Sequence, residues 1–243
     1  TLACAFILLA ALHLVLAATD ALVRPLFPWD ATMHWATKAK VWFDQAQIVS
    51  FVSNEAWLMQ DPGEVVYTDH HPAYPPTVPL LQVWMALGVG HWSETIINAP
   101  WPVFGLAMAL IFYGESREVG ASMLSASVFT YLLLSLPLLN AHIAMAGYAD
   151  LPLATCYFAA LLCTTRGIQT SDRRRICQGL FFALMCTQIK NEGFFWALTL
   201  MPAAMVLAMP RRVTPPGSSG APERIGRACP SRKGRTRRSC SKR

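Results

Sequence analysis

The sequence predicts an all-α fold: a polytopic transmembrane helical bundle with a long outer loop that carries juxtamembrane helices. Three observations lead to this prediction. Hydrophobic residues make up 54% of the 243-residue chain and charged residues only 14%, against about a quarter in soluble domains. The apolar residues occur in several runs, some of them long enough to cross a bilayer. Most of the charged residues lie between those runs or in the C-terminal tail.

The first apolar run, residues 2–18, is long enough to span and lacks a basic leading segment, so we expect a retained helix rather than a signal peptide. Residues 20–76 then form the polar outer loop. The following run, Thr77–Val89, covers only about 20 Å of a ~30 Å hydrocarbon core. It is predicted to be re-entrant or tilted. The alternative is that it crosses and the first span is inverted, which would separate Asp30 from Asp150.

The other predicted helices are residues 97–113, 120–139, 151–165, 176–189 and 194–209, with a charged break at 115–119 and a polar link at 140–150. Residues 173–175 are three consecutive arginines, which is typical of the cytoplasmic side. Counting outward from them places residues 115–118 on the same side. Three other segments then lie together on the opposite side: the loop 20–76, residues 147–150 and residues 190–193.

The net charge of +6 comes from the tail. Residues 211–243 hold 11 of the 20 Lys and Arg residues and one acid, so the rest of the chain has 9 basic and 13 acidic residues. A mildly acidic body does not indicate nucleic-acid binding. Residues 210–243 are rich in Pro, Gly, Ser and Arg, and we expect them to be disordered. They are either a basic tail attracted to anionic lipid or a truncated end that replaces further spans.

Residues 28–43, PWDATMHWATKAKVWF, combine an acid, an imidazole, amines and three tryptophans. In a regular helix Asp30, His34 and Lys38 lie at i, i+4 and i+8 and share one face. Tryptophans of this kind settle at a membrane–water boundary. The segment is therefore either a site on an interfacial helix or a helix that Asp30 merely caps.

The predicted topology collects ionisable side chains at the outer face: Asp30, His34, Lys38, His70, His71, Asp150, Lys190 and Glu192. Taken singly, Asp150 suits the N-cap of the next helix, with Pro152 in its first turn. Lys190 alone suits an ordinary lysine at the end of a span. Their joint placement predicts a site.

Four motifs in this order resemble the GT-C glycosyltransferases, a family that includes the protein mannosyltransferases and the lipid A aminoarabinose transferases. The motifs are Trp29-Asp30-x4-Trp35-x2-Lys38-Ala39-Lys40, His71-Pro72-x-Tyr74-Pro75-Pro76, Tyr148-Ala149-Asp150-Leu151-Pro152 and Lys190-Asn191-Glu192-Gly193. The resemblance covers about residues 1–209, the N-terminal part of such a protein. It implies a GT-C-like membrane enzyme that moves a sugar from a polyprenyl-phosphate carrier to a hydroxyl of a lipid, glycan or protein acceptor.

The resemblance further implies that Asp30 lies near the acceptor, where it is our choice for the base, and that Asp150 is a second acid of the site. The turn at residues 71–76 frames the carrier pocket. The expected substrate-binding residues are His34, Lys38, His70, His71, Tyr74, Lys190 and Glu192. Lys190 is the first choice for stabilising charge on the departing phosphate. Pro72 stands where some relatives have a lysine, and no arginine adjoins Asp150, so the phosphate contacts must partly differ.

A single displacement inverts the anomeric centre. The chemistry requires no cofactor, although a divalent cation between Asp30 and Asp150 remains an alternative. The resemblance implies an integral protein of the plasma (inner) membrane with its site on the extracytoplasmic side. A different class of function is a polytopic transporter or lipid-handling protein whose acids bind a cation. Transporters place ionisable residues at the midplane of the bilayer, whereas here they lie at the ends of spans.

Overall fold

The computed structural model describes residues 2–61 and 63–208, and these are mostly helical. The described helices are α1 (Leu2–Val23), a π-helix (Ala31–Ala36), α2 (Thr37–Gln45), α3 (Asn54–Trp57), α4 (Thr77–Val89), α5 (Glu94–Ile97), α6 (Pro100–Glu118), α7 (Met123–Leu134), α8 (Pro137–Ala144), α9 (Asp150–Thr170), α10 (Arg173–Ile189) and α11 (Gly193–Ala208). Two short parallel strands, β1 (Phe51–Val52) and β2 (Tyr67–Thr68), pair within the loop. The tail predicted to be disordered lies outside the described residues.

Three described segments are long and apolar enough to cross a membrane: Leu2–Val23, Glu94–Glu118 and Asp150–Thr170. The count is four if α7 and α8, which meet at a bend of 62°, are taken as one broken span. The prediction of apolar membrane-type helices is thereby confirmed by length and composition. Helix α4 has the predicted bounds, and its re-entrant placement stays a prediction.

The apolar helices pack in two groups that share α6 and α8. Helix α1 packs against α6, α7 and α8, while α9 packs against α6, α8, α10 and α11. Helices α9 and α10 pack closely, because a Cβ on Gly179 would overlap the side chain of Thr164. The buried core between the helices includes Trp101, Ile143 and Leu151. Because α9 and α10 are antiparallel neighbours, the start of α9 lies beside the end of α10.

The predicted span at residues 120–139 is not one continuous helix, because the structure divides it between α7 and α8. Its crossing of the membrane stays a prediction. Pro137 is at the start of α8 and has no N–H to donate to the preceding turn. The residue before it, Leu136, is extended, with ψ 124°, as proline requires of its neighbour. Hydropathy continues unbroken across this point, whereas the backbone hydrogen bonds do not.

Two predicted breaks are also misplaced. Helix α6 runs through the charged residues to Glu118 rather than ending before Glu115. Residues 140–144 belong to α8 rather than to a polar link. The polar side chain of Asn140 is accommodated there because it bonds to His13 of α1, with 3.1 Å between Oδ1 and Nε2.

Four charged side chains form the arginine cluster (Glu115, Glu118, Arg166 and Arg175) where α6 and α9 end and α10 begins. Arg175 donates to Glu115 at 2.8 Å and to Glu118 at 2.5 Å. Arg166 lies 3.8 Å from Glu115 and 4.0 Å from Glu118. The predicted placement of residues 115–118 on the same side as the arginines agrees with these contacts. We call this end of the helices the arginine end, and the opposite end the site end.

Candidate functional site

The segment that carries Asp30, His34 and Lys38 is not one regular α-helix. Residues Ala31–Ala36 form a π-helix, and the α-helical spacing resumes in α2. The expectation of a continuous α-helix is therefore wrong at this point. π-helical turns are rare and often occur at functional sites, because their wider turn re-aims side chains. Here His34 and Lys38 still share a face, and both contact the same carboxylate.

That carboxylate belongs to Asp69, and the three side chains form the buried triad (His34, Lys38 and Asp69). They are 8%, 3% and 3% exposed, respectively. Nδ1 of His34 contacts Oδ1 of Asp69, and Nζ of Lys38 lies 2.6 Å from Oδ2. Lys38 also donates to the carbonyls of His71 at 2.9 Å and Pro72 at 3.4 Å. The ammonium group of Lys38 is thus engaged within the protein.

The charge state of Asp69 follows from these contacts. Burial is the largest single influence and acts to raise the pKa of Asp69, but hydrogen bonds from Lys38, His34 and the backbone N–H of His71 together lower it below the ordinary value of 3.8. The carboxylate is therefore ionised at neutral pH. Its negative charge balances the buried positive charge of Lys38, which is the condition for burying either group at tolerable cost.

Aromatic rings connect the buried triad to the surface of the site. Trp35 is 2% exposed and stacks on Tyr74, with ring centroids 5.1 Å apart and planes at 12°. The ring of His71 lies 5.0 Å from His34 and 4.8 Å from Tyr74. His70 packs edge-on against His71 at 4.8 Å. His70 and His71, both predicted to bind substrate, are thus exposed rings that lie next to the buried aromatic and charged groups.

The site rim (Asp30, Tyr74, Asp150, Lys190 and Glu192) brings together residues from four separate segments. Nζ of Lys190 donates to Oδ1 of Asp150 at 3.1 Å. The hydroxyl of Tyr74 donates to Oε1 of Glu192 at 3.3 Å. Asp30 lies close enough that its charge adds to the effect on the phenol of Tyr74. The structure thus joins Tyr74 to Glu192 and Lys190 to Asp150. The roles of all five residues stay predictions.

The electrostatics of the site rim depend on the charges that act on Tyr74 and on Lys190. Burial raises the pKa of Tyr74, and the nearby charges of Glu192 and Asp30 raise it further. For Lys190 burial is the largest influence and lowers the pKa, but the charge and hydrogen bond of Asp150, with help from Glu192, raise it overall. Tyr74 is therefore a neutral hydrogen-bond donor, and Lys190 is a permanent cation.

The turn before α9 is held against the π-helix by close packing. Gly147 has φ +99°, a conformation that favours glycine. A Cβ at this position would lie 2.5 Å from Cβ of Ala31 and 2.7 Å from Leu26. The buried ring of Trp101 donates to the carbonyl of Tyr148 at 2.8 Å. These contacts bring the beginning of α9 beside the segment that carries Asp30.

The break between α10 and α11 positions Lys190 and Glu192. Lys190 is extended, with φ −152° and ψ 147°, so its side chain leaves the line of α10. Gly193 donates its N–H to the carbonyl of Lys190 at 2.8 Å and lies so close to Cys186 that a Cβ would overlap the Cys186 carbonyl. The hydroxyl of Thr77 donates to the carbonyl of Gln188 at 2.5 Å, which ties the start of α4 to the same turn.

Neither of the two alternatives based on helix capping is supported by the contacts. Asp150 is the first residue of α9 rather than its N-cap, and its carboxylate accepts from Lys190. Within the described residues Asp30 makes no side-chain capping hydrogen bond to the π-helix. The carboxylate of Asp150 instead pairs with Lys190 at the site rim. Pro152 lies in the first turn of α9, as predicted.

Asp69 was missed by the reasoning from sequence, although it makes the most buried ion pair in the described part of the chain. The available signal was an acid directly before two histidines, in Asp69-His70-His71. Its partners lie far away in the sequence: His34 precedes it by 35 residues. Only the folded loop, with β2 ending just before Asp69, shows that they meet.

An apolar cavity of about 340 Å³ adjoins the site rim. Its walls come from α6, α7, α8, α9 and α11 and include Leu133, Leu138 and Trp196, with Asp150 and His142 as its ionisable lining groups. Nδ1 of His142 is buried and has no hydrogen-bond partner among the described residues. The sequence predicted neither this cavity nor a role for His142.

The suggested divalent cation between Asp30 and Asp150 finds little support in the donor set. Within residues 2–61 and 63–208, no group of three or more His, Cys, Asp or Glu side chains is placed to hold a metal ion. No protein family, curated protein or solved structure matches this chain. Any statement about its function accordingly depends on the residues and their geometry.

Proposed function

We propose that this chain is part of a GT-C-like polytopic membrane glycosyltransferase that transfers a sugar from a polyprenyl-phosphate carrier to an acceptor hydroxyl on the extracytoplasmic side of the plasma (inner) membrane. The observation that carries the proposal is the site rim. At the ends of apolar helices Lys190 pairs with Asp150 and Tyr74 donates to Glu192, while the charge of Asp30 also acts on Tyr74. An apolar cavity adjoins Asp150. A substrate with a charged head and a long apolar tail matches this combination.

In the proposed reaction the acceptor oxygen attacks the anomeric carbon of the donor sugar. The bond between that carbon and the phosphate oxygen breaks, the lipid phosphate leaves with the electron pair, and the acceptor proton passes to Asp30. The anomeric centre is inverted by this single displacement. Lys190 stabilises the charge on the leaving phosphate, and its raised pKa keeps it cationic. Tyr74 is a neutral donor beside it.

The same arrangement supports separate assignments for the two acids at the rim. Asp150 is paired with Lys190 at 3.1 Å and orients the ammonium group. Asp30 has no cationic partner within ion-pair distance among the described residues. Its oxygens are therefore open to a hydrogen bond from the acceptor hydroxyl, as a general base requires. This is why Asp30 remains our choice for the base.

The apolar cavity accommodates part of the carrier chain in this proposal. Its lining is mostly aliphatic, and its polar groups, Asp150 and His142, mark where the phosphate end of the carrier would lie. The unpartnered Nδ1 of His142 is available as a second group for that phosphate. Pro72 stands where some relatives have a lysine, and no arginine adjoins Asp150, so the motif residues provide fewer cations for the phosphate. His142 supplies an additional contact.

The proposal is tested by sugar transfer from radiolabelled polyprenyl-phosphate sugars in membranes that contain the wild-type chain or Asp30→Asn. The substitution keeps the shape of the side chain and removes the base, so we expect the rate to fall by about 10²–10⁴-fold. Asp44→Asn is a matched control, because Asp44 pairs with Lys40 on the exposed face of α2. Unchanged transfer by Asp30→Asn would exclude Asp30 as the base.

A transporter or lipid-handling protein is the second candidate, and the bend of 62° between α7 and α8 favours it. Broken helices commonly frame transporter sites at the middle of the membrane. Here, however, Asp150 begins α9 and Lys190 follows the end of α10. Movement of a labelled lipid-linked sugar across proteoliposomes, without transfer, is the result that would favour this candidate.

A further inference from the structure

A second cavity, of about 360 Å³, lies beside the π-helix. It is lined by Trp29, Met33, His34, Asn54, Thr68, Asp69 and His70. None of these residues lines the apolar cavity beside Asp150. The volume lies within the range of about 300–1,000 Å³ that is typical of small-molecule sites. We call it the loop cavity, because four of its residues come from the polar loop after α2.

Four polar side chains in the loop cavity have hydrogen-bonding capacity left over. Within the described part of the chain, the amide of Asn54, the hydroxyl of Thr68 and the ring nitrogens of His70 make no side-chain hydrogen bond. His34 uses Nδ1 to contact Asp69, so Nε2 is its remaining polar atom. These groups are both donors and acceptors. A ligand with several hydroxyl groups satisfies such a set.

One wall of the loop cavity is aromatic and open. The indole of Trp29 is 69% exposed, and the thioether of Met33 lies beside it. An exposed indole next to unpartnered polar groups provides a flat apolar surface with hydrogen-bonding groups around it. The pyranose ring of a saccharide has the complementary form, with an apolar face of C–H groups and a rim of hydroxyls.

The charged side chains around the loop cavity argue against an ionic ligand. Asp69 is the one acid in its lining, and Lys38 neutralises it from the side at 2.6 Å. No lysine or arginine is among the described lining residues, so a phosphate would find no permanent cation there. A free ammonium ligand would compete with Lys38 for a carboxylate that already accepts three contacts. The remaining class is a neutral, polyhydroxylated ligand.

We propose that the loop cavity binds a saccharide ring, stacked on Trp29 and hydrogen-bonded by Asn54, Thr68, His70 and Nε2 of His34. The further assignment of the loop cavity as the acceptor subsite of the transfer reaction rests on the proposed function. Saccharide binding itself does not depend on transfer. Asp69 acts here as a positioning residue, since it fixes the ring of His34 through Nδ1 and leaves Nε2 for the ligand.

The test is saturation-transfer NMR on the purified full chain in lipid nanodiscs, with methyl β-glucopyranoside and methyl α-mannopyranoside as probes. We expect saturation of the ring protons of at least one glycoside, strongest on the C–H face that meets the indole. Trp29→Ala should weaken that signal about tenfold, and Trp29→Phe should retain most of it. Asn54→Ala and Thr68→Val should each weaken it by a smaller factor.

Trp84→Ala is the matched control, because Trp84 is 68% exposed and lies on α4, outside the lining of the loop cavity. Glycerol tests for non-specific polyol binding, and inorganic phosphate tests for an anion site. The proposal is overturned if neither glycoside is saturated, if Trp84→Ala lowers the signal as much as Trp29→Ala, or if phosphate displaces the glycoside. Thermal unfolding of each variant separates loss of the site from loss of the fold.

The binding and transfer results separate the two proposals. Glycoside binding that depends on Trp29, in a chain without transfer activity, supports the loop cavity and counts against the proposed enzyme. Transfer that is insensitive to Trp29→Ala and Asn54→Ala supports the enzyme and overturns the loop cavity as its acceptor subsite.

Discussion

The two ends of the packed helices carry charged clusters of opposite character. In the arginine cluster two guanidinium groups face two carboxylates, and Arg175 bonds to both acids. In the site rim Lys190 pairs with Asp150, Glu192 accepts from Tyr74, and Asp30 lacks a cationic partner among the described residues. The first cluster is balanced in charge, while the second has an excess of acid. Complete pairing serves stability, whereas an unpaired carboxylate is available for chemistry.

Beneath the site rim, the site end also contains the buried triad, in which positive and negative charges balance. Lys38 and Asp69 are almost fully buried and compensate each other. Trp35 stacks on Tyr74 and so fixes the rim above this layer. The structure thus places a paired, buried layer under an incompletely paired, exposed one. The arginine end, by contrast, has only the arginine cluster among the described residues, and its side chains are partly exposed to solvent.

The largest effect on stability is expected from Asp69→Asn. The substitution removes the charge that balances Lys38 and leaves a buried ammonium group unpaired, which typically costs about 3–5 kcal/mol of the free energy of unfolding. Chemical denaturation in detergent micelles measures the change. Asp44→Asn is the control, since the exposed Asp44–Lys40 pair is worth about 0–1 kcal/mol. Equal losses for the two variants would contradict the buried pairing of Asp69.

The next effect contrasts the two ends directly. Arg175→Met removes two charge-assisted hydrogen bonds from a half-buried cluster and should lower the free energy of unfolding by about 1–2 kcal/mol. Transfer activity should be unchanged, because the arginine cluster lies at the far ends of α9 and α10. The 21 residues of α9 separate the two ends by about 30 Å.

Lys190→Met should show the opposite pattern. Its pair with the partly exposed Asp150 contributes about 0–1 kcal/mol to stability. Loss of the cation should lower the rate of sugar transfer by about 10²–10³-fold. Denaturation and transfer assays on both variants give the comparison. If Arg175→Met affected transfer as strongly as Lys190→Met, the two ends would not be functionally distinct.

Much of the helical part of the fold was predictable because its signals are local. The run Thr77–Val89 lies between Pro76 and Gly90, and Gly90 has φ +77°, the left-handed conformation that ends a helix. The same local reasoning gave α9 its start at Asp150-Leu151-Pro152. It failed at Pro137, where continuous hydropathy concealed the bend. Hydropathy reports which residues avoid water, not whether the backbone hydrogen bonds continue.

The candidate site was predictable only in part, because its contacts are distant in sequence. The acids and amines of the rim were expected at one end, since the spans fix on which side each loop emerges. The buried triad was not expected, because Asp69 meets His34 and Lys38 only after the loop has folded. Lys38, predicted to bind substrate, pairs with Asp69 and donates to two carbonyls, and its role in binding stays a prediction. Charge pairing between distant segments has no periodic signal in the sequence.

The smallest expected effect is the dependence of stability on pH that Asp69 contributes. Burial alone would raise its pKa, but hydrogen bonds from Lys38, His34 and His71 lower the pKa below 3.8 in the folded state. In the unfolded chain the pKa returns to about 3.9. Just below about pH 4 the unfolded state therefore binds more protons than the folded state, and stability rises with pH in that window.

The contribution of Asp69 is complete above the unfolded pKa and is lost as the pH falls through the folded pKa. The difference in unfolding free energy between the wild type and Asp69→Asn should accordingly shrink when the pH is lowered from about 5 to about 3. Denaturation series at both pH values measure it, with Asp44→Asn reporting the slope of an exposed pair. A constant difference across this range would mean that folding does not favour the ionised form of Asp69. The buried triad would then lack the charge balance between Lys38 and Asp69 that distinguishes it from the site rim.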